Sequence, residues 1–168
     1  LNEGFEGGSM PAGWTSEGDC GWTVGTGDYS TGTGANTGSY NARITHDSTG
    51  DETYLVTPAM DLSNASEATL SFAYVNRSWA GDTDEFGVYY RVNGGTWNEL
   101  FYTSTAHSTW TASGNITLTG FAANYQLGFL MVDNYGYGVG LDDVVVNATM
   151  SGGGTPTPGP TPTPTPGA

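Results

Sequence analysis

Apolar and polar residues alternate with a period of two along most of the chain. The pattern is clearest over residues 70–74, 86–92 and 125–131. Successive side chains of a strand point to opposite faces of a sheet, so this alternation predicts strands with one buried face. No segment places apolar residues at helical spacing over three turns. Further strands are predicted near residues 21–24, 42–45, 53–57, 96–102, 110–118 and 139–146.

Turn residues separate these stretches. Asn93-Gly94-Gly95 lies between two alternating segments, and Asn and Gly accept the positive φ angles that tight hairpins need. About eight to ten short strands with turn signals between them are typical of an all-β sandwich. We therefore expect an all-β fold, a jelly-roll β-sandwich of two antiparallel sheets.

The composition changes sharply at Ser151. From there the chain reads SGGGTPTPGPTPTPTPGA, which holds six of the eight prolines and no side chain large enough to build a core. We predict one domain over residues 1–150 and an extended, polyproline-like tail or linker over residues 151–168. An extended backbone exposes every hydroxyl, so the tail threonines are predicted glycosylation sites. They are Thr155, Thr157, Thr161, Thr163 and Thr165.

The charge balance excludes several classes of partner. The chain has 17 Asp and Glu against 3 Arg and no Lys, which gives a net charge of −14. Nucleic acids and anionic lipids need clustered cations, so neither is an expected partner. No apolar run approaches the roughly 20 residues that span a bilayer. With 27 glycines and only 12% charged residues, the composition favours a secreted, turn-rich β protein.

Several short motifs follow one another in a recognisable order. They are Phe5-Glu6, Cys20-Gly21-Trp22, Leu55-Val56-Thr57-Pro58, Leu70-Ser71-Phe72-Ala73-Tyr74, a Gly-Gly turn leading into Trp97, Trp110 ahead of Ile116-Thr117-Leu118, and Tyr137-Gly138-Val139-Gly140-Leu141-Asp142-Asp143-Val144. In this order, over residues 3–148, the chain resembles MAM domains and the related bacterial cleaved-adhesin and choice-of-anchor modules. The resemblance implies an extracellular jelly roll that serves adhesion or binding without catalysis.

The resemblance also suggests a metal site and shows one departure. Jelly rolls of this type often hold Ca²⁺ between the first and last strands, which makes Glu6 and Asp142 or Asp143 candidate ligands. MAM domains usually carry several cysteines in disulfides, whereas Cys20 is the only cysteine here. This departure favours the bacterial adhesin modules. It leaves the core, or a metal, to stabilise the fold.

The Asp142-Asp143 pair interrupts an otherwise apolar strand that runs from Leu141 to Val146. An inward carboxylate is costly unless a cation or hydrogen-bond donors meet it. A β-bulge at the pair would turn Leu141, Val144 and Val146 to the core together and leave a carboxylate free for a hard cation. The alternative is a pair of solvated carboxylates at the end of a strand.

A second acidic segment lies at residues 81–85. It places Asp82, Asp84 and Glu85 within four residues, with a spacing that departs from the EF-hand loop. The segment is either a second calcium site, with Asp82 and Asp84 as ligands, or a charged entry into the following strand.

Aromatic residues in Gly-, Ser- and Asn-rich loops are candidate ligand contacts. Trp79, Tyr135 and Tyr137 lie in such loops, as do Tyr29 and Tyr40. Exposed rings stack on the apolar faces of sugars while Asn and Asp bind hydroxyl groups, so a glycan site is one interpretation. Packing in the core or in a protein interface is the other.

Enzyme motifs such as G-x-S-x-G, H-E-x-x-H and a phosphate loop are absent from the sequence, and we expect no catalysis. The leading hypothesis is a structural or adhesive subunit at the cell surface, which assembles with copies of itself into a filament. In that hypothesis an edge strand or residues 1–6 add to a neighbour's sheet. The alternative is a carbohydrate-binding module that the Thr-Pro linker joins to a secreted polysaccharide-degrading enzyme.

Overall fold

All regular elements of the structure, a computed structural model that describes residues 1–151, are strands. This confirms the all-β fold class, and no helix in this range is long and apolar enough to cross a membrane. The predicted extended tail and its five threonines lie outside the described residues. The strands are β1 (Asn2–Glu3), β2 (Thr15–Gly18), β3 (Thr23–Gly25), β4 (Asn41–Ile44), β5 (Thr49–Val56), β6 (Ala65–Asn76), β7 (Glu85–Val92), β8 (Asn98–Thr103), β9 (His107–Ala112), β10 (Ile116–Thr117), β11 (Tyr125–Asn134) and β12 (Val139–Met150).

The strands form two antiparallel sheets. A seven-stranded sheet has the order β10-β6-β12-β4-β3, with β1 beside β12 and β9 beside β6. A five-stranded sheet has the order β2-β5-β11-β7-β8. The inner faces of both sheets contribute to one hydrophobic core. Two antiparallel sheets packed over a shared core are the predicted β-sandwich.

The three clearest alternating stretches lie within β6, β7 and β11, as predicted. Their inward residues Leu70, Phe86, Phe129 and Met131 have no exposed surface. The strand expected at residues 110–118 is instead two short strands, β9 and β10. Gly114 interrupts it with a φ of +67°, a turn conformation that does not continue a strand.

The predicted bulge in β12 is present. The pairing of β12 with β6 shifts register between Asp142 and Val145, and Asp143 has a φ of +51°. As a result Leu141, Val144 and Val146 are all buried. One irregular residue thus lets three apolar side chains of the same strand reach the core.

The first residues of the chain pair within the same molecule. Strand β1 places Asn2 opposite Val145, and the Leu1 carbonyl accepts a hydrogen bond from the Val146 amide at 2.9 Å. Within this chain the edge of β12 is therefore paired by residues 2–3. Addition of residues 1–6 to a neighbour's sheet stays a prediction.

An aromatic row covers the outer face of the five-stranded sheet. Tyr54 stacks on Trp97 with ring centroids 4.8 Å apart, and the Arg91 guanidinium lies 4.4 Å from the Trp97 ring centroid. Tyr54 also meets Tyr89 edge to face. The rings lie over Gly128, where a Cβ would come within 2.7 Å of Trp97. Tyr54 and Trp97 therefore cover a ring face of each other, and Arg91 makes a further contact with Trp97.

Truncation of the bulged strand should destabilise the fold. Leu141→Ala removes a side chain with no exposed surface, so we expect a loss of about 2–5 kcal/mol in the free energy of unfolding. Urea denaturation measures it. Met150→Ala, at the half-exposed end of the same strand, is the control and should change stability by less than about 0.5 kcal/mol. Equal losses in the two variants would contradict the described core.

Candidate binding cleft

Four loops meet at one end of the sandwich. They are the β3–β4, β4–β5, β6–β7 and β11–β12 connections, and the last two meet because β12 pairs with β6 and β11 with β7. A cleft of about 480 Å³ opens between the loops, within the roughly 300–1,000 Å³ of small-ligand sites. We call it the aromatic cleft. Its lining residues are Tyr29, Thr45, Asp47, Trp79, Tyr135, Gly136 and Tyr137.

The structure brings together the three aromatic residues selected from the sequence. Trp79 and Tyr135 are 51% and 45% exposed, and Tyr137, which lines the same cleft, is half-buried. Their role in binding stays a prediction. Tyr29 joins them, whereas Tyr40 lies elsewhere, against Gly8. Asp47 also lines the cleft, and its proximity to the rings depends on the sheet pairing, which local sequence does not show.

A tight turn presents Trp79. The Trp79 amide donates to the Asp82 carbonyl at 2.9 Å, and the Asp82 amide donates back to the Trp79 carbonyl at 2.8 Å. Between them Ala80 and Gly81 both have positive φ angles, the geometry of a two-residue hairpin. The short turn fixes the backbone of Trp79 at the rim of the cleft.

All five backbone amides of the loop at residues 134–138, which we call the tyrosine loop, have an acceptor. Asp84 accepts three of them, at 2.7 Å from Asn134, 2.9 Å from Gly136 and 2.7 Å from Gly138. The other two bonds run from the Tyr135 amide to Asp133 at 3.1 Å and from the Tyr137 amide to the Arg77 carbonyl at 3.1 Å. A loop with every amide satisfied holds its two tyrosines in a fixed arrangement.

Two buried carboxylates therefore organise the cleft. Asp84 and Asp133 are each 1% exposed. Asp133 also accepts the Ser48 amide at 2.8 Å, which ties the β4–β5 loop to the tyrosine loop. Burial, together with the nearby charge of Asp84, raises the pKa of Asp133. Asp84 and Asp133 thereby link the β4–β5, β6–β7 and β11–β12 loops.

The tyrosine loop contains a strained residue. Tyr135 has a φ of +57°, a left-handed conformation that is uncommon for a bulky side chain. Gly136 follows because a Cβ there would lie 2.6 Å from the Asp84 backbone nitrogen. Strain at a non-glycine residue costs about 1–3 kcal/mol and is often found at functional sites. In a chain with 27 glycines, a tyrosine at this position points to a role for its ring.

The polar atoms of the cleft aromatics have no partner inside the protein. Within residues 1–151, the indole N–H of Trp79 and the hydroxyls of Tyr135 and Tyr137 form no hydrogen bond, whereas the Tyr29 hydroxyl lies 3.3 Å from the Thr23 hydroxyl. The Asp47 carboxylate likewise has no ion pair in this range. The cleft therefore offers both ring faces and unused hydrogen-bonding groups.

The first predicted calcium ligands also come close together. An ideal Cβ at Gly4 would lie 3.8 Å from Asp143 Oδ1, 3.9 Å from Asp142 Oδ1 and 3.9 Å from Glu6 Cγ. We call Glu6, Asp142 and Asp143 the acidic corner. No member of it has an ion-pair partner among residues 1–151.

Backbone and side-chain donors meet the acidic corner from the β3–β4 loop. Asp142 accepts the Asn36 and Thr37 amides at 3.0 and 3.2 Å, and Glu6 accepts the Ser39 amide at 2.9 Å. Burial raises the pKa of Asp142 to about 6, and the Asp143 charge adds to the rise. Within residues 1–151 no three acidic, His or Cys side chains already converge as a metal centre.

The second predicted calcium pair is divided between two roles. Asp84 is buried, and both its oxygens accept backbone amides, whereas Asp82 is exposed and its backbone closes the Trp79 turn. The donor set of this segment therefore does not fit a calcium loop. The sequence spacing gave no sign of the distant amides that meet Asp84.

Comparisons with known proteins find the fold but no family. No protein-family model matches the sequence, and no curated protein matches it. Among solved structures, a cleaved adhesin domain of Lys-gingipain from Porphyromonas gingivalis is similar, with a TM-score of 0.65 and 20% identity over 89% of this chain and 98% of that one.

Two carbohydrate-binding modules are similar as well. One is TmCBM61, solved with β-1,4-galactotriose, at a TM-score of 0.62 and 16% identity over 87% of this chain and 94% of that one. The other is the CBM22-1 xylan-binding domain from Paenibacillus barcinonensis, with a TM-score of 0.53 and 19% identity over 90% of this chain and 95% of that one. The predicted likeness to cleaved-adhesin modules is confirmed at the level of the fold. The MAM part of the resemblance is not supported.

Loss of the Asp84 carboxylate should loosen the tyrosine loop. Asp84→Asn replaces one acceptor oxygen with an N–H₂ group that faces backbone donors, so a buried amide loses its partner. We expect hydrogen exchange at Asn134, Gly136 and Gly138 to accelerate at least about tenfold, equivalent to about 1.4 kcal/mol of lost protection. Asp82→Asn, at an exposed carboxylate, should leave these rates unchanged. Unaltered exchange in Asp84→Asn would refute the anchoring role.

Proposed function

We propose that this protein is a non-catalytic extracellular module that binds glycans through the aromatic cleft. The observation that carries the proposal is the combination of exposed rings and unused polar atoms on Trp79, Tyr135 and Tyr137. Sugars present apolar C–H faces and hydroxyl groups on the same ring, so they need both kinds of contact. A loop with all its amides satisfied supplies these contacts with little ordering cost on binding.

The similar structures agree with this proposal. Modules solved with galactotriose or described as xylan-binding share the fold, as does an adhesin domain. A surplus of 14 negative charges with no lysine suits a secreted protein at or near a cell surface. Adhesion, the leading hypothesis from the sequence, is then one consequence of binding a surface glycan.

The outer face of the five-stranded sheet is a weaker site for a sugar. Its largest ring, Trp97, is already stacked on Tyr54 and contacted by the Arg91 guanidinium. A sugar needs a free ring face for stacking. We therefore place the glycan site in the aromatic cleft and not on the outer face of the sheet. Self-assembly into a filament and glycosylation of the tail threonines stay predictions from the sequence.

We also propose that calcium stabilises the fold at the acidic corner. Carboxylate oxygens are the ligands that Ca²⁺ prefers, and the corner gathers three carboxylates without an ion-pair partner in residues 1–151. Asn36, Thr37 and Ser39 donate hydrogen bonds to these carboxylates, so a bound ion would replace some of these donors. Asp142, Asp143 and Glu6 would hold the ion. Its charge would offset their repulsion and join the first and last strands.

Glycan binding should depend on the cleft aromatics. Trp79→Ala and Tyr135→Ala each remove a ring from the cleft, so affinity for a bound oligosaccharide should fall at least about tenfold, or about 1.4 kcal/mol. Isothermal titration with ligands from a glycan array measures it. Tyr102→Ala removes a similarly exposed ring from the sheet face and should keep full affinity. Binding that is lost only in Tyr102→Ala would place the site on the sheet.

Calcium should raise the melting temperature. At a Ca²⁺ concentration 100 times its Kd, binding adds about 2.7 kcal/mol, or roughly 5–10 °C for a domain of this size. Asp143→Asn removes one charge of the corner and should abolish most of this gain. Asp61→Asn, at an exposed Asp outside the corner, should retain it. Identical melting curves in excess EDTA and in Ca²⁺ would contradict a structural metal.

A further inference from the structure

Asp47 is the one charged residue that lines the aromatic cleft. Within residues 1–151 its carboxylate forms no ion pair and accepts no hydrogen bond. It is exposed, so its charge is available to a ligand. It therefore sits beside Trp79 and the two tyrosines as an unused acceptor for a positively charged donor.

The guanidinium groups of the three arginines are engaged by other groups of the protein, one of them on a ring that lines the cleft. Arg43 lies over the Tyr29 ring at 4.4 Å and donates to the Thr26 carbonyl at 3.2 Å. Arg77 donates to the Ser108 carbonyl at 2.7 Å, and its Nε lies 4.0 Å from the buried Asp28 carboxylate. The third, Arg91, lies over the Trp97 ring on the outer face of the five-stranded sheet. With no lysine in the sequence, no cationic side chain lines the cleft to receive an anionic ligand.

Further negative charge lies behind the cleft. Asp84 and Asp133 are buried beneath the tyrosine loop, and backbone amides meet both of them. The imidazole of His46 also lies there, with Nδ1 3.5 Å from Asp133 Oδ2 and 2.9 Å from Asp51 Oδ2. Carboxylates therefore outnumber cationic groups around the cleft, in keeping with the net charge of −14. Electron-rich ring faces further favour a cation, because an aromatic ring attracts a cation placed over its face.

We infer that the aromatic cleft discriminates sugars by charge, with Asp47 as the residue that sets the preference. A sugar ring that carries a free ammonium group binds more tightly than its neutral N-acetyl counterpart, and a ring that carries a carboxylate is excluded. The ammonium donates a charge-assisted hydrogen bond to Asp47 while the sugar ring contacts both the Trp79 and the Tyr135 rings. This inference rests on the proposed glycan-binding function of the same cleft.

Three disaccharides of the same β-1,4 linkage test the inference. One is built from glucosamine, one from N-acetylglucosamine, and one carries a glucuronate. Titration at pH 6 keeps an amine of the α-amino class protonated (about 7.7) and an ordinary aspartate ionised (about 3.9). The wild-type protein should bind the amine at least about tenfold more tightly than the N-acetyl form, and the glucuronate more weakly still.

Asp47→Asn should reduce the preference for the amine over the N-acetyl form to less than about threefold. Asp82→Asn removes an exposed carboxylate that does not line the cleft and should keep the wild-type preference. Trp79→Ala should weaken all binding. This last variant separates stacking in the cleft from the general attraction of an acidic protein for a cation.

Two results would overturn the inference alone, and a third would overturn the proposed function with it. Equal affinity for the amine and N-acetyl forms in the wild type would overturn the inference while the proposed glycan-binding function stands. Amine binding that survives Trp79→Ala would overturn it as well, because the attraction would then lie outside the cleft. If no member of a broad glycan array binds, the proposed function fails, and the inference fails with it.

Discussion

The buried negative charge of Asp84 is the constraint on which the functional end of this molecule depends. A buried carboxylate without a cation must be met by hydrogen-bond donors, since desolvation otherwise makes its charge too costly. Here the donors are three backbone amides of the tyrosine loop, so the loop takes the one shape that delivers them. The position of the cleft tyrosines follows from that shape.

The two sheets explain why such a loop is available. Alternating strands bury one face each in a shared core, so the ends of the strands are left to carry the irregular segments. Because β12 pairs antiparallel with β6, and β11 with β7, the end of β6 and the start of β12 lie at the same end of the sandwich as the start of β7 and the end of β11. Aromatic side chains on these connections therefore come together although they lie far apart in the sequence, as Trp79 and Tyr135 do.

Much of the fold and some residues of the candidate site could be predicted from the sequence. Period-two alternation predicted the central strands, and the cost of an inward carboxylate predicted the bulge at Asp142-Asp143. Aromatic residues in glycine-rich loops indicated Trp79, Tyr135 and Tyr137. What escaped prediction was non-local: the amides that meet Asp84, the place of Asp47 beside the rings, and the pairing of residues 2–3 with β12. Each depends on which strands become neighbours, and that information is absent from local patterns.

The central claim is that the aromatic cleft, and not the aromatic sheet face, holds a sugar. The most direct measurement is an NMR titration of the ¹⁵N-labelled protein with a bound oligosaccharide. Trp79 and Trp97 give separate indole N–H signals at the two surfaces. The account predicts saturable shifts at the Trp79 indole and at the amides of residues 135–138, with the Trp97 indole unmoved. Shifts centred on Trp97, with Trp79 unaffected, would contradict it.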